Sequence, residues 1–211
     1  MSYLDSFLKG EIDDKSFISY LNSCSELQNE INNLIPSDAV KNPQHAIWKC
    51  FSYEALKKDS FNLIQHLNRI CYYNGKIGDN LNLFGALKRL YYFYHPNFPF
   101  TNKYHDEFDL YLDAVRDCFD GPEVEDIINQ TIKQCTLIKP KAKRKKEAKE
   151  RIRTLFHVES NSLPRWIQGA EWPMGKFSPM KYERQEKKGE LVRFFFADVD
   201  TGEEKVIEQL Y

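Results

Sequence analysis

The sequence predicts an α+β fold, mainly α: a bundle of about six helices with a small C-terminal three-stranded antiparallel sheet packed on it. Three observations lead there. Apolar residues recur at helical spacing from the N-terminus to about residue 158. The last 48 residues then change period, with three short runs at 180–185, 191–198 and 204–211 filled by aromatic and β-branched side chains. Between the runs, Glu186-Lys-Lys-Gly189-Glu and Val199-Asp-Thr-Gly202-Glu place a glycine where a tight reversal needs positive φ. A sheet that small is unstable alone, so it must lie on the helical body, with Trp166, Trp172 and Pro173 as the clamp. The expected division is a helical body over 1–158 and a Trp-rich loop and meander over 159–211, hinged at 159–163.

Taken in order, Asp13 or Asp14 caps a helix whose apolar face runs Phe17, Leu21, Cys24, Leu27, Ile31, Leu34, ending at Pro36. A second pattern starts near Pro43 with Ile47, Cys50, Phe51 and Ala55. It passes through Asp59 or Ser60 into Leu63, Leu67, Ile70 and Cys71, and Tyr73-Asn-Gly breaks it. Asp79 then caps a strongly apolar helix with Leu83, Leu87, Leu90 and Tyr94 on one side and Phe84 and Tyr91 beside them. His95-Pro96 stops it, because the residue before proline is pushed out of the α region. The run Tyr91-Tyr-Phe-Tyr reads as core packing rather than base stacking. Residues 103–120 form the next helix, and Pro122 opens the first turn of another with Val124, Ile127, Ile128, Ile132 and Cys135 inside. Residues 139–158 form a highly charged last helix whose second half alone has an apolar side: Ala148, Ile152, Leu155, Phe156.

Composition narrows the function classes. A hydrophobic share of 42% places the chain among globular proteins. Its 30 Lys+Arg against 31 Asp+Glu leave a net charge of −1, so any electrostatic function must come from arrangement rather than total charge. The opening Met-Ser-Tyr-Leu-Asp-Ser-Phe-Leu-Lys-Gly lacks the basic start and apolar core of a signal peptide, and no apolar run approaches the roughly 20 residues of a membrane span. The five cysteines, Cys24, Cys50, Cys71, Cys118 and Cys135, are odd in number and dispersed, and read as reduced thiols of a cytoplasmic protein. Phosphate-loop, GxSxG, HExxH and CxxC patterns are all absent. The histidines stand alone, and no catalytic residue, cofactor or metal is expected.

Two charge features remain. Residues 139–153 hold nine cations and two acids. That is either a phosphate-binding helix or a solvated helix that offsets acidic neighbours, and the lack of interleaved aromatics favours the second. Residues 103–126 hold nine acids against Lys103 and Arg116, a net −7. Asp106, Asp109, Asp113, Asp117 and Asp120 fall at steps of three and four, one face of a helix. Phe108, Leu112, Val115 and Phe119 make a separate apolar stripe on which the helix can dock. Like charges at that spacing cost helix stability and aspartate is a poor helix former, so the ladder needs either a partner protein or the cations of 139–153.

The tail Trp166-Ile-Gln-Gly-Ala-Glu-Trp-Pro, with Gly175-Lys-Phe-Ser-Pro-Met, Phe194-Phe-Phe-Ala-Asp, Thr201-Gly-Glu and Glu208-Gln-Leu-Tyr, resembles the ending of small bacterial immunity proteins. These belong to polymorphic-toxin and contact-dependent growth inhibition systems. Phe7-Leu-Lys-Gly-Glu-Ile, followed by Phe17 and Tyr20, is similar to the start of helical immunity proteins. The resemblance covers about a quarter of the chain and rests on turn and packing residues. It implies a cytoplasmic, non-catalytic toxin inhibitor that acts by protein–protein interaction. Many such toxins are nucleases with a basic cleft, which the five-aspartate ladder would suit. The other open reading is a nucleic-acid-binding or regulatory protein using 139–153.

Overall fold

The computed structural model describes residues 2–36, 67, 76–115, 118–159 and 162–211. Among them lie seven helices and one sheet: α1 (Tyr3–Lys9), α2 (Asp14–Ser23), α3 (Ser25–Asn32), α4 (Ile77–Tyr94), α5 (Lys103–Ala114), α6 (Glu125–Thr136), α7 (Lys141–Leu155), then β1 (Lys181–Lys188), β2 (Leu191–Ala197) and β3 (Glu204–Leu210). The fold is α+β and mainly α. The helical pattern expected over 43–71 lies outside the described residues, except Leu67, which is buried. The chain divides into two units, Met1–His105 and Asp106–Tyr211. Residues 159–211 belong to the second unit with most of α5 and all of α6 and α7, so the expected division at 158 falls inside that unit.

In the first unit, Ser2 and Asp13 cap α1 and α2 by accepting from the amides of Asp5 and Ser16 at 3.0 and 2.8 Å. The single helix expected from 13 to 36 is broken at Cys24, which is extended at φ −113°. The cause is local: Asn22, Ser23 and Ser25 are poor helix formers, and the Ser23 hydroxyl bonds back to Ser19 O at 3.0 Å. The apolar face survives the break, with Phe17, Leu21, Leu27 and Ile31 buried. Phe7 stacks on Phe17 at 4.0 Å, and Phe84 and Tyr104 close the aromatic core at 4.9 Å. Asn80 donates to Asp14 at 2.7 Å inside that core, which satisfies a buried carboxylate. Helix α4 begins two residues before Asp79, which lies in its first turn rather than at the cap.

In the second unit the sheet has order β1-β2-β3, antiparallel throughout. Gly189 and Gly202 supply the two reversals at φ 63° and 74°. Val192, Phe194 and Phe196 face inward and are buried. They meet the helices through the two tryptophans. Trp166 packs on Phe194 at 4.7 Å. Trp172 packs on Phe196 at 5.4 Å, on Phe156 at 4.8 Å and on Phe119 at 5.4 Å. The Trp172 indole N–H donates to Met180 O at 2.7 Å, and that of Trp166 to Cys118 O at 3.0 Å. The tryptophans therefore join sheet to helices by ring packing and by hydrogen bonds to the backbone.

Two carboxylates tie the loops of this unit. Asp198, buried, accepts from the amides of Lys176 and Asp200 at 2.8 and 2.9 Å, which hold its pKa below the usual carboxylate value. Glu123 accepts from the Met174 amide at 2.9 Å and pairs with Lys205 at 3.0 Å, and both lower its pKa. A carboxylate whose folded pKa is depressed gives stability that is present above its unfolded value and lost as pH falls through the folded one. Acid should therefore loosen this unit below pH 4.5, the unfolded value for Glu123. Hydrogen exchange on β3 and the 172–176 loop, followed from neutral pH downward, should show that loss. Glu123→Gln should flatten it, and an identical acid profile would remove Glu123 from this role.

Candidate functional site

The ladder sits on α5, whose observed course differs from the expected one. The helix ends at Ala114 rather than near 120. Its buried residues are Tyr104, Glu107, Leu110 and Ala114, whereas Leu112 is 53% exposed and Phe108 half-buried. The expected docking stripe of Phe108 and Leu112 is thus displaced by about one position. A buried glutamate, invisible to an apolar pattern, takes the place of a hydrophobe. Val115 and Phe119 are buried as expected, beyond the helix end.

Helix α7 supplies cations to the ladder. Asp106 meets Arg144 at 3.4 Å and Lys141 at 3.8 Å; Asp109 meets Lys141 at 4.0 Å; Asp113 pairs with Lys145 and raises the lysine's pKa. Asp117 lies outside the described residues. Asp120 has left the row: it accepts from the Tyr111 hydroxyl at 3.3 Å and from its neighbour's amide, Gly121, at 2.8 Å. The structure therefore brings Asp106, Asp109 and Asp113 together beside the basic helix and assigns Asp120 to a loop. The charge balance agrees, because the net −7 of 103–126 equals in size the net +7 of 139–153.

The contacts are graded. The Arg144 side chain is only 13% exposed and also donates to Ile138 O at 3.1 Å, which fixes it as a structural group. Asp109 is 60% exposed and makes the longest of these pairs. No protein-family model, no curated protein and no solved structure matches the chain.

On the outer side of α7, Lys143 and Lys149 are exposed, as is Lys139 just before the helix, and no ion pair joins any of the three among the described residues. Lys146 and Arg151 are spent on Glu150 and Glu147 one turn away, at 3.7 and 2.8 Å. In the first unit, Tyr92, Phe93 and Tyr94 at the end of α4 are 54%, 54% and 44% exposed, while Tyr91 is buried. Core packing therefore holds for Tyr91 alone in that run. The signal is present in the period, since Leu83, Leu87, Leu90 and Tyr91 already fill the inward face. Among the described residues no three His, Cys, Asp or Glu side chains converge as a metal site, and no helix is long and apolar enough to cross a membrane. Cys24, Cys118 and Cys135 are free thiols, and burial raises the pKa of Cys135; Cys50 and Cys71 lie outside the described residues.

Proposed function

We propose that this protein is a bacterial immunity protein: a non-catalytic, cytoplasmic inhibitor that binds and neutralises one toxin, a nuclease, through charge-complementary contact. The observation that supports this reading is the state of the α5 carboxylates. Asp106 and Asp109 are 39% and 60% exposed, and their pairs with Lys141 are 3.8 and 4.0 Å long. Exposed pairs of this kind hold about 0–1 kcal/mol each, so a toxin's cations can replace Lys141 at little cost. Such complementarity acts mainly on association rate and on the exclusion of wrong partners.

The exposure gradient separates binding from stability. Asp109→Asn should leave the melting temperature unchanged, slow association with the toxin and flatten its salt dependence. Asp106→Asn should also lower the melting temperature, because it strips the half-buried Arg144 of its partner. Toxin is obtained by pull-down with the product of the neighbouring reading frame. Equal association of Asp109→Asn and parent at low salt would remove the ladder from the interface. Failure to bind any such product would remove the immunity reading itself.

The exposed, unpaired Lys139, Lys143 and Lys149 support the second reading, a nucleic-acid-binding protein using the outer side of α7. Salt-sensitive retention on RNA or DNA, lost in a triple alanine variant, would favour it over the first.

A further inference from the structure

Strand β1 is an open edge. It pairs only with β2, and among the described residues no backbone hydrogen bond from 181–188 reaches any other segment. Six of its eight residues are exposed. Natural edges are blunted with charge so that they do not pair indiscriminately. Here the charge is ordered: Glu183, Arg184, Gln185, Glu186, Lys187 read minus, plus, neutral, minus, plus. That pattern changes sign on reflection through Gln185.

We propose that β1 pairs antiparallel with β1 of a second copy, with Gln185 on the two-fold axis, to give a six-stranded sheet across a closed dimer. In this register Arg184 lies opposite Glu186 of the second copy and Glu183 opposite Lys187, each twice by symmetry. No like charges are directly opposed. Every adjacent register fails this test. Moving the axis to between 184 and 185 opposes Glu183 to Glu186 and Lys181 to Lys188. Moving it to between 185 and 186 opposes Arg184 to Lys187. Centring it on Arg184 or Glu186 opposes that residue to itself. A parallel in-register pair sets every charge against its own copy. Like charges directly opposite are destabilising, so this register is favoured over its neighbours, and the two-fold closes the assembly at two.

The side chains of the central pair lie on the face this requires. After the irregularity between Tyr182 and Arg184, Arg184 and Glu186 are opposite Phe195 and Arg193, and share the outer face. Arg184 lies over the Phe195 ring at 4.0 Å and bonds to Glu186 at 3.1 Å, with both side chains more than half exposed. In the dimer these two pairs become a square of alternating charge. Gln185, on the inner face, accepts from the Arg165 amide at 3.0 Å. This inference does not depend on the toxin-binding reading.

Sedimentation equilibrium from micromolar to millimolar protein should resolve a monomer–dimer equilibrium. Arg184→Glu and Glu186→Arg should each weaken it by on the order of tenfold, whereas an equimolar mixture of the two variants should recover parent-like dimers, since each supplies the charge the other lacks. The double variant should dimerise as the parent does. Both single variants lose the same intrachain pair, so a merely structural role cannot produce recovery on mixing. For the unsubstituted chain, exchange of the 183–187 amides should slow as concentration rises. A parent that stays monomeric at millimolar concentration, or a mixture no tighter than either variant alone, would overturn the proposal.

Discussion

Trp172→Ala should cost about 3–5 kcal/mol, the range for deleting a buried large aromatic. Trp172 is 1% exposed and its ring is in contact with Phe119, Phe156 and Phe196, so no neighbour can collapse into the space without abandoning another. The loss also orphans Met180 O, which the indole N–H satisfies at 2.7 Å. Trp172→Phe isolates that part: it keeps most of the packing and should cost about 1–3 kcal/mol, the range for an unsatisfied buried acceptor. Hydrogen exchange at the β2 amides across a urea series reads the second unit directly. A loss below about 1 kcal/mol for the alanine variant would show that the clamp is elsewhere.

Gly121→Ala should be the next largest effect, about 2–4 kcal/mol. Two penalties coincide at this position. Its φ is +148°, a region side chains rarely adopt, and an added Cβ would sit 2.7 Å from the Trp172 backbone nitrogen. That nitrogen cannot move aside, because it donates to Asp120 O at 2.9 Å. Gly189→Ala is the control. It has φ +63° with nothing within 4 Å of the added carbon, so it bears the backbone penalty alone and should lose only about 1 kcal/mol. Equal losses at the two glycines would mean that the close approach to Trp172 contributes nothing.

The elements legible in the sequence are those whose determinants are local. Asp13 caps α2, His95-Pro96 stops α4, and Gly189 and Gly202 turn the meander, because each acts through its own backbone or the next few residues. The break at Cys24 is hidden because the apolar period runs through it unchanged. The early end of α5 is hidden for a related reason: Val115 and Phe119 continue the helical spacing after the helix has stopped. Asp106, Asp109 and Asp113 do line up beside α7, as their spacing predicts. The cations of 139–153 are one of the two partners expected for them, but which cation meets which carboxylate depends on how α5 and α7 cross and not on either pattern alone. The equal and opposite charges of the two segments are the hint the sequence offers.

The tryptophan latch also bears on the order in which the chain gains structure as it is made. The first unit draws its described core from residues 4 to 104, a stretch complete before α6 has been synthesised. The second unit cannot do the same. Phe119 and Phe156 pack on each other at 5.0 Å, but both are capped by Trp172, which in turn packs against Phe196. Those two rings therefore stay uncovered on their Trp172 side until residues 166–196 have been added. The growing chain presents sticky surface over that interval, when early-made domains are already folded. A ribosome stalled before residue 166 should hold a protease-resistant first unit joined to a protease-sensitive, chaperone-binding segment from 106 onward, and release from the stall should convert the second without altering the first.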